Sequence, residues 1–236
     1  MLGLLGFING ARVTKHDPLL SGFFSIADAA HLLGASQQSL RGWLNGYPNS
    51  AKGPVIERDF SGGRTVSFLD LMELRFIAFF RTQGVSTPTL RKAAERARSD
   101  WNVQHPLALE SSKYVTDRKK VIAKSAEETG DERAWDMATG QHEMWVTIEQ
   151  TIEKGVEFDP NTYLAKLWAP KPGEFPDVLI DPRIAFGRPF VKGTPVPSRT
   201  LYKQWQAEGH KSKVAAWFDV PEQVVETAIS YELRAA

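Results

Sequence analysis

Between residues 24 and 44 the apolar positions fall into two short helical repeats. In FSIADAAHLLGASQQSLRGWL, Ile26, Ala29, Ala30, Leu32 and Leu33 share one face, and after a break Leu40, Trp43 and Leu44 share another. Ser25 precedes the first repeat and Ser36 the second, each a residue type that caps a helix N-terminus, and Gly34 between them suits a sharp turn. The pattern predicts a helix-turn-helix. Its second helix leaves Gln37, Gln38, Ser39 and Arg41 facing outward. Those side chains can bond base edges and phosphates in a major groove, so DNA is the expected partner of this stretch.

Residues 1–20 read as an N-terminal arm packed on the first domain, and NGYPNSAKG (45–53) reads as a loop. Two short β-type runs follow, Pro54–Arg58 and Thr65–Ser67, around Asp59, Ser61, Gly62 and Gly63. They predict a hairpin where a wing belongs, flanked by Arg58 and Arg64 within reach of phosphates. Ser67 then caps FLDLMELRFIAFFRTQ, a helix apolar over most of its circumference and therefore buried on more than one side. Thr87-Pro88 opens another helix, with Arg91, Lys92, Arg96 and Arg98 expected toward solvent.

From 101 to 177 the pattern changes. KYVTDRKKVIAKS (113–125) reads as a hairpin turning near Asp117–Lys119, with Tyr114, Val115, Val121 and Ile122 on its strands. EETGDER reads as a charged loop, HEMWVTIEQTIEKG as an amphipathic helix through Met144, Ile148 and Ile152, and LAKLWAP as a strand. The Pro- and Gly-containing KPGEFPD (171–177) is the predicted linker. Beyond it come two short strands, at Val178–Ile180 and Phe190–Val191, and three helices. Ser198 is expected to cap the first, Val214–Phe218 forms the second, and Asp219 is expected to cap the third. The last two make another helix-turn-helix, whose outward Glu222, Gln223, Glu226 and Glu232 would be repelled by phosphates, so a protein contact is expected there.

The fold expected is mainly α with small β-hairpins (α+β). Its parts are a winged helix-turn-helix over 1–100, an α+β middle region with linker over 101–177, and a helical domain over 178–236.

Net charge over the 236 residues is +1, so no global basic field announces nucleic acid. The local balance is more telling: +4 over residues 1–100, −5 over 101–177 and +2 over 178–236. A basic front and an acidic middle fit contact with DNA at one end. Cysteine is absent, which excludes disulfides, thiol catalysis and cysteine-ligated zinc. MLGLLGFI lacks the basic lead of a signal peptide and no stretch is long enough for a membrane span, so a cytoplasmic location without membrane contact is expected. His16, His31, His105, His142 and His210 are scattered, and His142-Glu143 lacks the second histidine of a zinc-protease motif. Glu127 and Glu128 are most simply solvated. No nucleophile–base pair, metal site or cofactor site can be nominated, and the chain is not expected to be an enzyme.

Assembled, these residues resemble a two-part architecture. FSIADAAHLLGASQQSLRGWL, the Gly62-Gly63 hairpin and SFLDLMELRFIAFFRTQGVS look like the MerR-type winged helix-turn-helix. VLIDPRIAFGRPFVKGTPVPSRTLYKQW and VAAWFDVPEQVVETAI look like a small helical domain of VapB-class antitoxins. The combination is similar to large VapB antitoxins encoded beside PIN-domain (VapC-type) ribonuclease toxins. The resemblance implies an antitoxin that binds its toxin, blocks a Mg²⁺-dependent acidic ribonuclease site, and represses its own operon through operator DNA, as a homodimer. A basic side chain competing for the toxin's carboxylates would do the blocking, with Arg183, Arg188, Lys192 and Arg199 the nearest candidates. One departure is plain: ligand-sensing MerR regulators continue into a long dimerising helix, whereas here strands were expected after Trp101. A stand-alone regulator with a C-terminal dimerisation domain is the alternative.

Overall fold

The computed structural model describes residues 20–47, 53–60 and 64–235. The expected N-terminal arm, all but Leu20, lies outside them, as do 48–52 of the loop and the Gly62-Gly63 turn. The fold is mainly helical with small antiparallel strand pairs. β1 (Phe24–Ser25), α1 (Ile26–Leu33) and α2 (Gln37–Asn45) open it, followed by β2 (Thr65–Val66), α3 (Phe68–Thr82) and α4 (Thr87–Trp101). The middle holds α5 (Ser111–Thr129), α6 (Glu132–Thr139), α7 (His142–Glu153), β3 (Val156–Phe158) and β4 (Ala165–Trp168). β5 (Val178–Leu179), β6 (Phe190–Val191), α8 (Ser198–Glu208), α9 (Lys211–Phe218) and α10 (Glu222–Ala235) complete it.

Local chemistry sets the ends of the first helices. Ser25 with Asp28 and Ser67 with Asp70 form reciprocal capping boxes on α1 and α3, and Ser36 and Ser86 cap α2 and α4. Gly34 takes the left-handed conformation that closes α1. The first hydrophobic core gathers side chains from Phe24 to Ile180 around α3, whose Phe68, Leu71, Leu74, Ile77 and Phe80 are fully enclosed. A second core, from Phe175 to Tyr231, joins β5 and β6 to the last three helices. The chain passes from one to the other between Val178, in the second core, and Ile180, in the first, where Ile180 and Trp168 exchange N–H···O bonds of 2.7 and 2.9 Å.

Several expectations are corrected. The 113–125 hairpin is instead the middle of α5. Arg118, Val121, Ile122, Ser125 and Ala126 are all buried, at helical spacing. The pattern was hidden because its first member is an arginine. Arg118 is 2% exposed and donates to Glu149 Oε2 (2.7 Å) and the Leu109 carbonyl (2.7 Å), with its guanidinium over the Phe76 ring. Burial pushes the Glu149 carboxyl up, and Arg118 pulls it back. EETGDER is likewise no loop: it ends α5 at a left-handed Gly130, and Asp131 caps α6. Glu127 and Glu128 are exposed as expected, and Glu128 also pairs with Arg96. In α7 the buried anchor is Trp145, while Met144 is exposed. The expected wing pairing also differs. Thr65 and Val66 pair with Ser25 and Phe24, not with 54–58, where Val55 and Ile56 sink into the core. Asp219 does not cap α10 but terminates α9 in a left-handed turn, and Ser198 begins α8 after Pro197 as cap residue.

Replacing Glu149 with Ala leaves the Arg118 charge buried without its partner and should cost about 3–5 kcal/mol. The double replacement Arg118→Met, Glu149→Leu should recover most of that loss. Urea unfolding of the three proteins checks both outcomes.

Candidate nucleic-acid interface

The α1–α2 unit is built as the sequence predicts, and it sorts the expected contact residues. Gln37, Gln38 and Arg41 are exposed on one face of α2. Arg41 Nη2 donates to Gln37 Oε1 (3.0 Å) across one turn, which orients the guanidinium along that face and leaves other donors for a ligand. Asn45 extends the same face one turn further, a residue that sequence reasoning missed although its spacing from Arg41 would have found it.

Ser39 turns away. It bonds Ser36 Oγ (2.9 Å) and lines a cleft of about 580 Å³ between α2, α3 and β4, with Trp43, Arg75, Phe79 and Trp168 among its walls. Arg58 is not free for phosphate either. Its two terminal nitrogens donate to Asn45 Oδ1 (2.8 Å) and to the Thr65 carbonyl (2.6 Å). It therefore clamps the C-terminal end of α2 to strand β2, a positioning role. Arg64, just before β2, is exposed. Of the α4 cations, Arg91 is buried and donates to the Gly53 and Pro54 carbonyls, Arg96 pairs with Glu128, and Arg98 pairs with Glu57. The basic helix is thus largely satisfied from within.

Beneath this surface lies a charged cluster that no sequence spacing announced. His105 sits between Asp59 (Nε2···Oδ1 2.9 Å) and Glu73 (Nδ1···Oε2 3.3 Å), with Asp70 at 4.0 Å. Asp59, Asp70 and His105 offer donor atoms within 4.8 Å of one another, the spacing a metal ion needs. Both ring nitrogens nevertheless face carboxylates. Burial opposes the imidazolium, but hydrogen bonds and charge from Asp59 and Glu73 outweigh it and hold the His105 pKa at about 10. Burial pushes the Asp70 carboxyl up to about 6, against the pull of His105.

In the C-terminal unit, Arg183 is held by both oxygens of Asp181 (2.9 and 2.6 Å). Arg188, Lys192 and Arg199 are exposed, and their side chains hold no hydrogen bond or ion pair among the described residues. Of the carboxylates expected to face outward, Glu226 accepts from Lys211 (2.7 Å) and Glu232 accepts from the Ser198 hydroxyl, while Glu222 remains exposed.

Comparison with known proteins adds two findings. Residues 178–231 match a family model described as protein of unknown function (DUF433). The crystal structure of Rv2018 from Mycobacterium tuberculosis is similar, with a TM-score of 0.63 and 21% identity, covering 87% of this chain and 96% of that one. At this identity the likeness is one of fold. No curated protein matches the chain. No helix among the described residues is long and apolar enough to cross a membrane.

His105 holds its proton to about pH 10 in the folded chain, against 6.5 when unfolded. Its stabilisation is therefore complete below about pH 6.5 and is lost as pH rises toward 10. Urea unfolding at pH 6.5 and pH 9.5 should show the wild type weakening with pH and His105→Gln changing much less. Equal wild-type stability at both values would refute the assignment.

Proposed function

We propose that this chain is a cytoplasmic DNA-binding antitoxin that neutralises a PIN-domain ribonuclease toxin and represses its own operon. The observation that carries the DNA half is the exposed Gln37–Gln38–Arg41 face of a capped α2. Arginine can pair bidentately with guanine and glutamine with adenine, so these side chains are suited to reading base edges. Arg64 would contact phosphate, and Arg58 would hold the wing strand against α2. One short recognition helix makes few base contacts, so a homodimer on a two-fold operator is part of the proposal. The toxin half is supported by the resemblance of the C-terminal motif to VapB-class antitoxins and by the unpaired Arg188, Lys192 and Arg199. Arg183 drops out of that set because Asp181 neutralises it.

A stand-alone regulator remains the second reading. It is favoured by one observation: Trp217 of α9 is 58% exposed, an apolar surface of the kind dimer contacts use.

Co-expression with the product of the adjacent gene decides between the two. Co-elution and restored growth are expected; binding to its own promoter with neither would leave the regulator. In a gel-shift titration on promoter DNA, Arg41→Ala should cost about 1–3 kcal/mol, and Arg64→Ala should lower the salt slope by about 1. Indifference to both changes would refute the interface. Arg188→Ala with Arg199→Ala should weaken toxin inhibition, and full retention would remove them from the contact.

A further inference from the structure

Between Ile184 and Ala207 the chain carries four cations, Arg188, Lys192, Arg199 and Lys203, and no carboxylate, although the protein has 28 Asp and Glu. At the head of this run stands a backbone anomaly. Ala185 (φ 49) and Phe186 (φ 57) are both left-handed, a conformation unfavourable for residues with side chains. The side chain that this backbone presents is not buried in the core, since Phe186 is 56% exposed.

The ring is held out on a stiff mount. Phe23 N–H donates to the Phe186 carbonyl (2.9 Å), and Gly187 packs so closely that a Cβ there would lie 2.7 Å from the Phe24 ring. Phe186 meets Phe23 edge-on at 6.0 Å, and Phe23 stacks on Phe60 at 5.3 Å. Leu20 and Phe23 are themselves exposed. Arg188 follows Phe186 by two residues, and the bond from Ser198 N–H to the Pro189 carbonyl (2.8 Å) brings the backbone of Arg199 to the same segment. A rigid protruding aromatic beside free arginines is the composition that dominates binding energy in protein interfaces, and its preorganisation removes part of the entropic cost of docking.

We propose that Phe186, flanked by Arg188 and Arg199, is the anchor of a docking surface for a protein partner that presents an apolar notch rimmed by carboxylates. The acid-free cationic run sets the partner's charge. A second copy is disfavoured, since a two-fold contact would set like charges against each other. A nucleic acid is disfavoured because the Phe186, Phe23 and Leu20 surface is apolar. The inference rests on the antitoxin reading in taking the adjacent gene's product as that partner.

Phe186→Gly separates an anchor from a structural residue, because glycine suits the left-handed backbone that phenylalanine strains. In the full-length protein this change should leave the melting temperature unchanged or raise it. It should weaken binding of the adjacent gene's product, measured by calorimetry, by at least about thirtyfold. Arg188→Glu should weaken binding too, and the wild type's affinity should fall with added salt. If the wild type binds and Phe186→Gly binds equally well, the surface is wrong while the antitoxin reading stands. If the wild type does not bind, that reading fails and this inference with it. A lowered melting temperature with unchanged binding would make Phe186 structural. A loss confined to self-association or to promoter DNA would assign the surface to a second copy or to nucleic acid, and would overturn the proposal.

Discussion

Because α3 is enclosed on nearly every side, its acidic residues cannot reach water, and the architecture around it is arranged to neutralise them. Asp70 and Glu73 are fully buried, and His105 is drawn in from beyond α4 to face both. Glu73 also accepts the Leu107 backbone N–H, which fixes the short 3₁₀ turn Pro106–Ala108 against the helix. On its other side His105 holds Asp59, in the segment 53–60. One imidazolium thus connects the central helix, the middle region and the segment that follows α2. Removing His105 would leave these buried carboxylates without their cation, a state far costlier than an unmade surface ion pair.

The same economy explains which cations are available to a ligand. Arginine is used repeatedly as a clamp on backbone carbonyls: Arg58 on Thr65, Arg75 on Ile152 and Lys154, Arg91 on Gly53 and Pro54, Arg118 on Leu109. Each planar fork ties together segments distant in sequence. Arg41, Arg64, Arg188, Lys192 and Arg199 take no such role and are among the cations left exposed.

The sequence was most legible where local rules dominate. The caps at Ser25, Ser36 and Ser67, the turn at Gly34 and the apolar repeats of α1 to α3 follow from residues within one or two turns. It was least legible where long-range partners override residue type. Arg118 is a core residue only because Glu149, 31 positions away, lies opposite it, so a hydrophobicity pattern that scores arginine as polar broke α5 into strands. The pairing of β2 with β1 rather than with 54–58 has the same origin, since two-residue strands carry no register signal of their own. For the interface, residue type nominated Arg41 and Arg58 alike. Only the placement of Asn45 and the Thr65 carbonyl distinguishes a free side chain from a clamp.

The stretch matched by the family model and the stretch that shares a core do not coincide. The match begins at Val178, yet the second core begins at Phe175, whose ring meets Tyr231 edge-on and lies under the Arg234 guanidinium. Ile180, inside the match, is bonded to Trp168 and counted with the first core. The matched stretch is therefore not closed on itself in this chain: it takes an aromatic plug from Phe175 just before it and a strand edge from Trp168 beside it.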